Sequence, residues 1–106
     1  MNNPVLELMA DHGSVRKYRP DPVPVETVKQ IVYAAQRAST SSNLQMWTAI
    51  AVTDAARRAQ LAEICGSQTH IAQAPLFIAW CADLARLDRA CELRGYTQVT
   101  EYVENF

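Results

Sequence analysis

The apolar residues of this chain recur at helical spacing in short segments, which polar or proline-rich stretches separate. In the clearest segment, four residues stand at i, i+3, i+4 and i+7 and share one helix face: Val28, Ile31, Val32 and Ala35. Pro24 and Glu26 open this helix. An earlier helix is predicted to begin at residues 3–4 and to end near residues 12–13, because Asn is a favoured cap and Pro fits the first helical position. Three prolines within residues 20–24 predict an extended loop between the two helices.

Two apolar runs predict β-strands. The first spans residues 49–53, and the second, residues 76–81, is continuously apolar, which is typical of a strand covered on both faces. An Asp cap followed by helix-forming residues and a closing Gly predicts two more helices, one from Asp54 to Gly66 and one from Asp83 to Gly95. A short turn or helix is predicted at residues 70–74, before Pro75.

The end of the sequence predicts the opening of a further amphipathic helix. Four residues again share the spacing i, i+3, i+4 and i+7: Val99, Tyr102, Val103 and Phe106. The chain stops on this apolar stripe, and two strands alone rarely form a stable sheet. We therefore expect an α+β fold that is incomplete, with helices and about two strands of a mixed sheet. Residues 1–106 would be one partial domain, truncated within its last helix.

An incomplete sheet and an apolar final stripe need a partner. Three alternatives follow: another copy of the chain completes the sheet, a different chain completes it, or it stays incomplete. The prediction that follows is that the chain is not a stable monomer and forms homo-oligomers.

Composition and charge exclude several classes of partner. The chain has 106 residues and a formal net charge of −1, so no overall field attracts nucleic acid or an anionic membrane. No apolar run approaches the roughly 20 residues that span a bilayer, and no signal peptide is visible. The three cysteines form no C-x-x-C pair, which indicates reduced thiols in a cytoplasmic protein.

The first candidate for chemistry is the segment at residues 12–16 (HGSVR). His12, Ser14 and Arg16 group an imidazole, a hydroxyl and a guanidinium, which together could donate several hydrogen bonds to a phosphate. The same pattern also fits a helix C-terminus followed by a solvated basic run. The residues alone leave both interpretations open.

The second candidate is the polar stretch at residues 39–45 (STSSNLQ). Its hydroxyls and two amides can hydrogen-bond a planar, acceptor-rich ring or a polyhydroxy chain, although a surface loop would have the same composition. The glycine-rich patterns G-x-G-x-x-G and G-x-x-x-x-G-K-[ST] are absent, and so are H-E-x-x-H and G-x-S-x-G. The known nucleotide fingerprints and these hydrolase motifs therefore do not apply.

Five segments, in order and spacing, resemble the N-terminal half of the nitroreductase superfamily of FMN enzymes. They are closest to its NADPH-dependent flavin reductase and oxygen-insensitive nitroreductase branch. The family pattern H-R-S-x-R corresponds to residues 12–16 (HGSVR), and a proline-rich linker corresponds to residues 19–24 (RPDPVP). The pattern S-S-x-N-x-Q-P-W corresponds to residues 38–47 (ASTSSNLQMW). The pattern G-G-Q-x-H-x-A-x-A-P corresponds to residues 66–75 (GSQTHIAQAP), and a strand ending in C-A-D corresponds to residues 77–83 (FIAWCAD). Gly13 stands where the family usually has Arg.

The resemblance implies an FMN-dependent nitroreductase-like fold and a bound FMN. Hydride would pass from NADPH or NADH to the flavin and then to a nitroaromatic, a quinone or free flavin. The segment containing His12, Gly13, Ser14 and Arg16 would hold the FMN phosphate. Thr40, Asn43 and Gln45 would line the ribityl chain and the ring. Gln68 would lie near the isoalloxazine. No side chain is an obligatory acid or base in this chemistry, so the resemblance names no catalytic residue.

Two rival interpretations remain at this point. The chain could be a truncated, non-enzymatic remnant that dimerises or swaps but no longer binds FMN, or a phosphate-binding module without redox chemistry. The flavoprotein interpretation makes a geometric prediction that separates it from both. Residues 12–16 and residues 40–45 should face each other across one shared pocket.

Overall fold

The computed structural model describes residues 3–97 as five α-helices and two strands. In chain order the elements are α1 (Pro4–Ala10), α2 (Val25–Ala35), a 3₁₀ turn (Ser41–Asn43), β1 (Trp47–Val52), α3 (Ala55–Ile64), α4 (Thr69–Gln73), β2 (Phe77–Ala82) and α5 (Leu84–Leu93). The order of elements that the sequence predicts is confirmed within this range. The amphipathic helix predicted at residues 99–106 lies outside the described residues.

Capping residues set where three of the helices begin. The Asn3 Oδ1 accepts a hydrogen bond from the Val5 backbone N–H at 3.0 Å. The Asp54 Oδ1 accepts from the Arg57 N–H at 2.8 Å, and the Asp83 carboxylate caps α5 in the same way. These acceptors satisfy N–H groups that the first turn of a helix leaves without partners. The predicted caps are therefore confirmed, and local sequence decides these boundaries.

β1 and β2 form a two-stranded antiparallel sheet. Trp47 pairs with Ala82 at one end of the ladder, and Val52 pairs with Phe77 at the other. β1 begins two residues before the predicted start, because Trp47 and Thr48 already pair with the end of β2. The antiparallel register brings the loop before β1 and the turn after β2 to the same end of the sheet.

The described residues bury very little side chain. Among them only Ala62, in α3, and Ala74, after α4, are buried, where these two helices pack against each other. Trp80 in β2 is 50% exposed, so the coverage on both faces that the apolar run of β2 predicts is not supplied by residues 3–97. No helix within this range has the length and hydrophobicity that crossing a bilayer requires.

The dimensions of the molecule agree with this open arrangement. The radius of gyration is 17.7 Å, against about 13 Å for a compact domain of this length. The accessible surface is 9,007 Å², against about 5,900 Å² for a compact protein of 11.8 kDa. Residues 3–97 therefore supply the elements of a layered fold without a second layer that would cover them.

Candidate functional site

The polar stretch before β1 folds into a compact loop, residues 39–46, which we call the site loop. The Thr40 carbonyl accepts the Asn43 N–H at 3.0 Å, and the Thr40 hydroxyl oxygen accepts the Gln45 N–H at 3.3 Å. The Gln45 side-chain amide donates to the Asn43 side-chain oxygen at 3.0 Å. Thr40 thus organises the backbone of the loop, and the two amide side chains are held side by side.

Three residues of the site loop have left-handed backbone angles. The φ values are +50° at Ser42, +54° at Asn43 and +53° at Gln45. Asn tolerates this region, whereas Ser and Gln disfavour it, and each strained residue costs on the order of 1–3 kcal/mol. Such a conformation persists only when surrounding contacts hold it, and it is typical of functional loops.

A polar pocket of about 230 Å³ lies against the site loop. It is lined by Gln36, Arg37, Ala38, Thr40, Asn43, Gln45, Trp47 and Arg86. The lining offers one hydroxyl, three amides and two guanidinium groups and contains no carboxylate. Its electrostatic character is therefore positive, in a chain whose formal net charge is −1, and it suits an anionic or acceptor-rich ligand.

Aromatic side chains support both sides of this pocket. The Arg37 guanidinium lies 5.2 Å from the centre of the Tyr33 ring, a cation–π contact that keeps it beside the loop. The Trp47 and Trp80 rings meet across the sheet with centroids 5.4 Å apart. Each contact thus involves one residue that lines the pocket, Arg37 in the first and Trp47 in the second.

The turn between β2 and α5 connects directly to the start of β1. The Asp83 N–H donates to the Met46 carbonyl at 2.9 Å, and the Thr48 hydroxyl donates to the Asp83 Oδ2. The Asp83 Oδ1 accepts the Arg86 N–H at 3.1 Å, and the Arg86 guanidinium donates to the Trp47 carbonyl at 3.2 Å. We call Thr48, Asp83 and Arg86 the clamp.

Hydrogen bonding controls the ionisation of Asp83. The Thr48 hydroxyl, then the Arg86 backbone N–H, and finally the Arg86 charge lower the pKa of Asp83 below its ordinary value of 3.8, while partial burial opposes them. Asp83 is therefore ionised at neutral pH and accepts both hydrogen bonds as a carboxylate.

The structure brings together three of the eight residues that the sequence predicts for the site. Thr40, Asn43 and Gln45 line the polar pocket. The segment at residues 12–16 follows α1 in an exposed position and does not line that pocket. Gln68 lies between α3 and α4, where its amide donates to the Cys65 carbonyl at 2.6 Å. The shared pocket between residues 12–16 and 40–45 therefore stays a prediction.

Sequence reasoning did not include Arg37 and Arg86 in the site. Arg37 stands two residues before the polar stretch, so a search for cations flanking the hydroxyl and amide cluster would have found it. Arg86 lies 39 residues after Trp47, whose carbonyl it contacts. Only the antiparallel register of β1 and β2 makes that contact predictable.

A second, larger cavity lies elsewhere on the described surface. Its volume is about 550 Å³, and mostly apolar side chains line it between the proline-rich loop and the start of β2. The Tyr18 and His70 rings approach each other at its rim, with centroids 6.5 Å apart. None of the eight predicted site residues lines this groove, so the polar pocket is the candidate site despite its smaller size.

Comparison with known families agrees with the arrangement of these segments. The sequence model of the Nitroreductase family matches residues 9–99. The chain belongs to the nitroreductase family. The match includes the segment at residues 12–16, the site loop and the clamp, so every candidate residue lies within the shared domain.

Two of the curated relatives that the chain matches are a flavin reductase and a nitroreductase. An FMN reductase [NAD(P)H] of Bacillus subtilis is 41% identical over 90 residues, which are 85% of this chain and 36% of the relative. An oxygen-insensitive NADPH nitroreductase of Salmonella typhimurium is 38% identical over 89 residues, 84% of this chain and 37% of the relative. The chain therefore spans little more than a third of the length of these proteins.

Solved structures show the nitroreductase fold in the same region. The structure of Bacillus megaterium NfrA2 superposes with a TM-score of 0.88 at 38% identity and covers 97% of this chain, which is 42% of that protein. The NADPH:FMN oxidoreductase from Vibrio harveyi, solved in complex with NAD⁺, superposes with a TM-score of 0.78 at 33% identity and covers 83% of this chain and 38% of that protein. The incomplete nitroreductase-like fold that the sequence predicts is confirmed.

Proposed function

We propose that this chain supplies the flavin-binding elements of an FMN-dependent NAD(P)H oxidoreductase of the nitroreductase and flavin reductase type. The observation that supports the proposal is the polar pocket, where Thr40, Asn43 and Gln45 meet two guanidinium groups. The acceptors would be small molecules: nitroaromatic compounds, quinones or flavins. When bound, FMN supplies the hydride-transfer chemistry, and the protein supplies binding and orientation.

The donor set of the pocket fits a flavin. An isoalloxazine ring has alternating hydrogen-bond acceptors and a donor at one edge, and the amides of Asn43 and Gln45 can both donate and accept. The hydrogen bond between these two amides fixes their relative orientation. The Thr40 hydroxyl suits the ribityl chain. Because the strained site loop is already formed, little ordering would be needed when the ligand binds.

The remaining predicted residues have separate roles in the proposal. His12, Ser14 and Arg16, with the backbone at Gly13, would hold the FMN phosphate, and Gln68 would lie near the isoalloxazine. Both segments are exposed within the described chain, so their side chains can reach a ligand. Arg37 and Arg86 add positive charge beside the flavin, which favours the anionic groups of both FMN and NADPH or NADH.

The open arrangement supports a further part of the proposal. We infer that the working protein is a homo-oligomer or is completed by further polypeptide, since within residues 3–97 α1 is exposed throughout and no residue of the sheet is fully buried. A cytoplasmic location agrees with a sequence whose three cysteines form no C-x-x-C pair.

Flavin binding is the direct test. The purified chain is titrated with FMN while flavin fluorescence and the visible absorption band are recorded, and NADPH oxidation is then followed with a nitroaromatic acceptor. We expect saturable quenching, release of FMN on denaturation, and turnover that depends on added FMN. The absence of saturable binding by a folded sample would contradict the proposal.

One observation favours the second candidate function, a non-enzymatic remnant. Only two side chains are buried among the described residues, which is too small a core to hold a cofactor site rigidly without a partner. In that case the chain would form a folded oligomer with no affinity for FMN. An FMN titration of a sample whose oligomeric mass is known separates the two functions, since only the first predicts saturable binding.

A further inference from the structure

The site loop adopts a conformation that its own sequence does not favour. Ser42 and Gln45 are non-glycine residues with φ near +50°, and the hydrogen bonds that Thr40 accepts from the Asn43 and Gln45 N–H groups lie within the loop itself. Strain of this kind relaxes unless contacts from outside the loop oppose it. The question is which part of the molecule supplies them.

The clamp supplies contacts from outside the site loop, at the point where the loop enters β1. The Asp83 N–H bonds the Met46 carbonyl, Arg86 bonds the Trp47 carbonyl, and Thr48 bonds the Asp83 carboxylate. Three successive residues of the chain are thus fixed to one turn. That turn is itself rigid, because Asp83 caps α5 through the Arg86 N–H.

Arg86 differs from the other two clamp residues because it also lines the pocket. A guanidinium has five N–H donors in a planar fork. The Trp47 carbonyl takes one of them, so the same group can hold the backbone at the end of the loop and still face a ligand. A lysine could replace the charge, but it could not reproduce the fork.

We propose that Arg86 is a positioning residue of the flavin site, and that it acts through the clamp to hold the site loop in its strained conformation. The proposal rests on the proposed function for the identity of the ligand, whereas the clamp itself rests on the hydrogen bonds alone. Its consequence is that a residue on α5 determines the geometry of the amides at positions 43 and 45.

Amide hydrogen exchange tests the clamp without any ligand. The full chain is compared with Arg86→Gln, Arg86→Lys and the control Arg89→Gln, which lies on the same helix and loses only an exposed ion pair with Glu92. We expect Arg86→Gln to speed exchange at the Gln45, Trp47 and Asp83 amides by about tenfold, the scale of one charge-assisted hydrogen bond. The exchange rates of amides within α3 should not change. The rates of Arg86→Lys at the three amides should lie between those of the parent and of Arg86→Gln, and the rates of Arg89→Gln should equal those of the parent.

The FMN titration forms the second arm. We expect the dissociation constant of Arg86→Gln to rise by about tenfold, with partial recovery in Arg86→Lys. If the parent chain does not bind FMN, the proposed function fails. The hydrogen-exchange experiment needs no ligand, so it still tests whether Arg86 holds the site loop. Unchanged exchange at the three amides of Arg86→Gln would overturn the positioning role, and so would equal acceleration in α3.

A variant that fails to fold does not leave the proposal undecided. In that event Thr48→Val, which removes one clamp hydrogen bond and keeps the side-chain volume, takes the place of Arg86→Gln beside Arg86→Lys. Faster exchange confined to the Gln45, Trp47 and Asp83 amides in both variants supports the clamp. Parent-like exchange in both overturns it.

Discussion

Gln45 combines an unfavourable backbone conformation with a useful side chain. Its φ of +53° disfavours any residue with a Cβ, yet its amide lines the polar pocket and bonds Asn43. Folding and binding therefore place opposite demands on this position.

We expect Gln45→Gly to stabilise the chain and weaken its ligand affinity. Glycine removes the left-handed strain, which should raise the free energy of unfolding by about 1 kcal/mol, while loss of the amide should weaken FMN binding. Urea unfolding and FMN titration measure the two effects. Ser42→Gly is the matched control, because Ser42 has a similar φ of +50° but does not line the pocket; it should gain stability without losing affinity. If Gln45→Gly raised or lowered the free energy of unfolding and the FMN affinity together, the opposite demands on this position would be contradicted.

Arg16 gives a test of the predicted phosphate site. If its guanidinium contacts the FMN phosphate, Arg16→Ala should weaken FMN binding by roughly 1–3 kcal/mol, the scale of a charge-assisted hydrogen bond. Lys17→Ala, in the same exposed segment, controls for a general loss of positive charge. An unchanged dissociation constant for Arg16→Ala, measured by fluorescence titration, would remove Arg16 from the site.

At the scale of elements, the joint between β1, β2 and α5 depends on an ionised Asp83. Its folded pKa lies below the ordinary value, first through the Thr48 hydroxyl and then through the Arg86 N–H. A group with a lowered folded pKa contributes stability that is complete above its unfolded pKa and is lost as the pH falls through the folded value. The joint should therefore be intact at neutral pH and weaken only in acid, below the ordinary pKa of about 3.8.

A comparison with Asp83→Asn measures this contribution. The free energy of unfolding of the parent chain and of the variant is determined by urea titration from neutral to strongly acid pH. We expect the parent to be more stable by a constant amount at neutral pH, with the difference shrinking below about pH 4 as Asp83 takes up a proton. A difference that stays constant into strong acid would show that the charge of Asp83 is not what holds the joint.

The sequence predicts the elements well because their signals are local. Asn3, Asp54 and Asp83 each cap the helix that directly follows, and the caps are observed in the structure. The predicted start of β1 lies two residues after the observed one, because strand pairing, which is not a local signal, adds Trp47 and Thr48 to the strand. Thr40, Asn43 and Gln45 come together because they are neighbours in the chain. Arg86 could not be predicted, since its contact with the Trp47 carbonyl joins segments that lie 39 residues apart in the sequence.

At the scale of the whole molecule, exposed apolar surface decides the behaviour in solution. The described chain exposes Leu8, Met9, Ile50 and Trp80 by half or more of their surface. Its accessible area exceeds that of a compact protein of its mass by roughly 3,100 Å². An excess of this size is comparable to the area that a permanent protein–protein interface buries.

We expect the isolated chain to associate at micromolar concentration. Size-exclusion chromatography with light scattering should return a mass above that of one chain, and Ile50→Lys, on the exposed sheet, should shift the population toward monomer. Thr53→Lys, just beyond the end of β1, is the control and should behave as the parent. A folded sample with the mass of one chain at this concentration would contradict the expectation.

The scarcity of buried side chains also has a consequence for how this polypeptide melts. The heat-capacity increment and the denaturant slope of a protein both scale with the surface that becomes newly hydrated. A chain with only Ala62 and Ala74 buried among its described residues has little such surface to release. Alone, it should unfold in a transition that is broad in temperature and in denaturant, and the transition should sharpen when something covers the open face of its sheet.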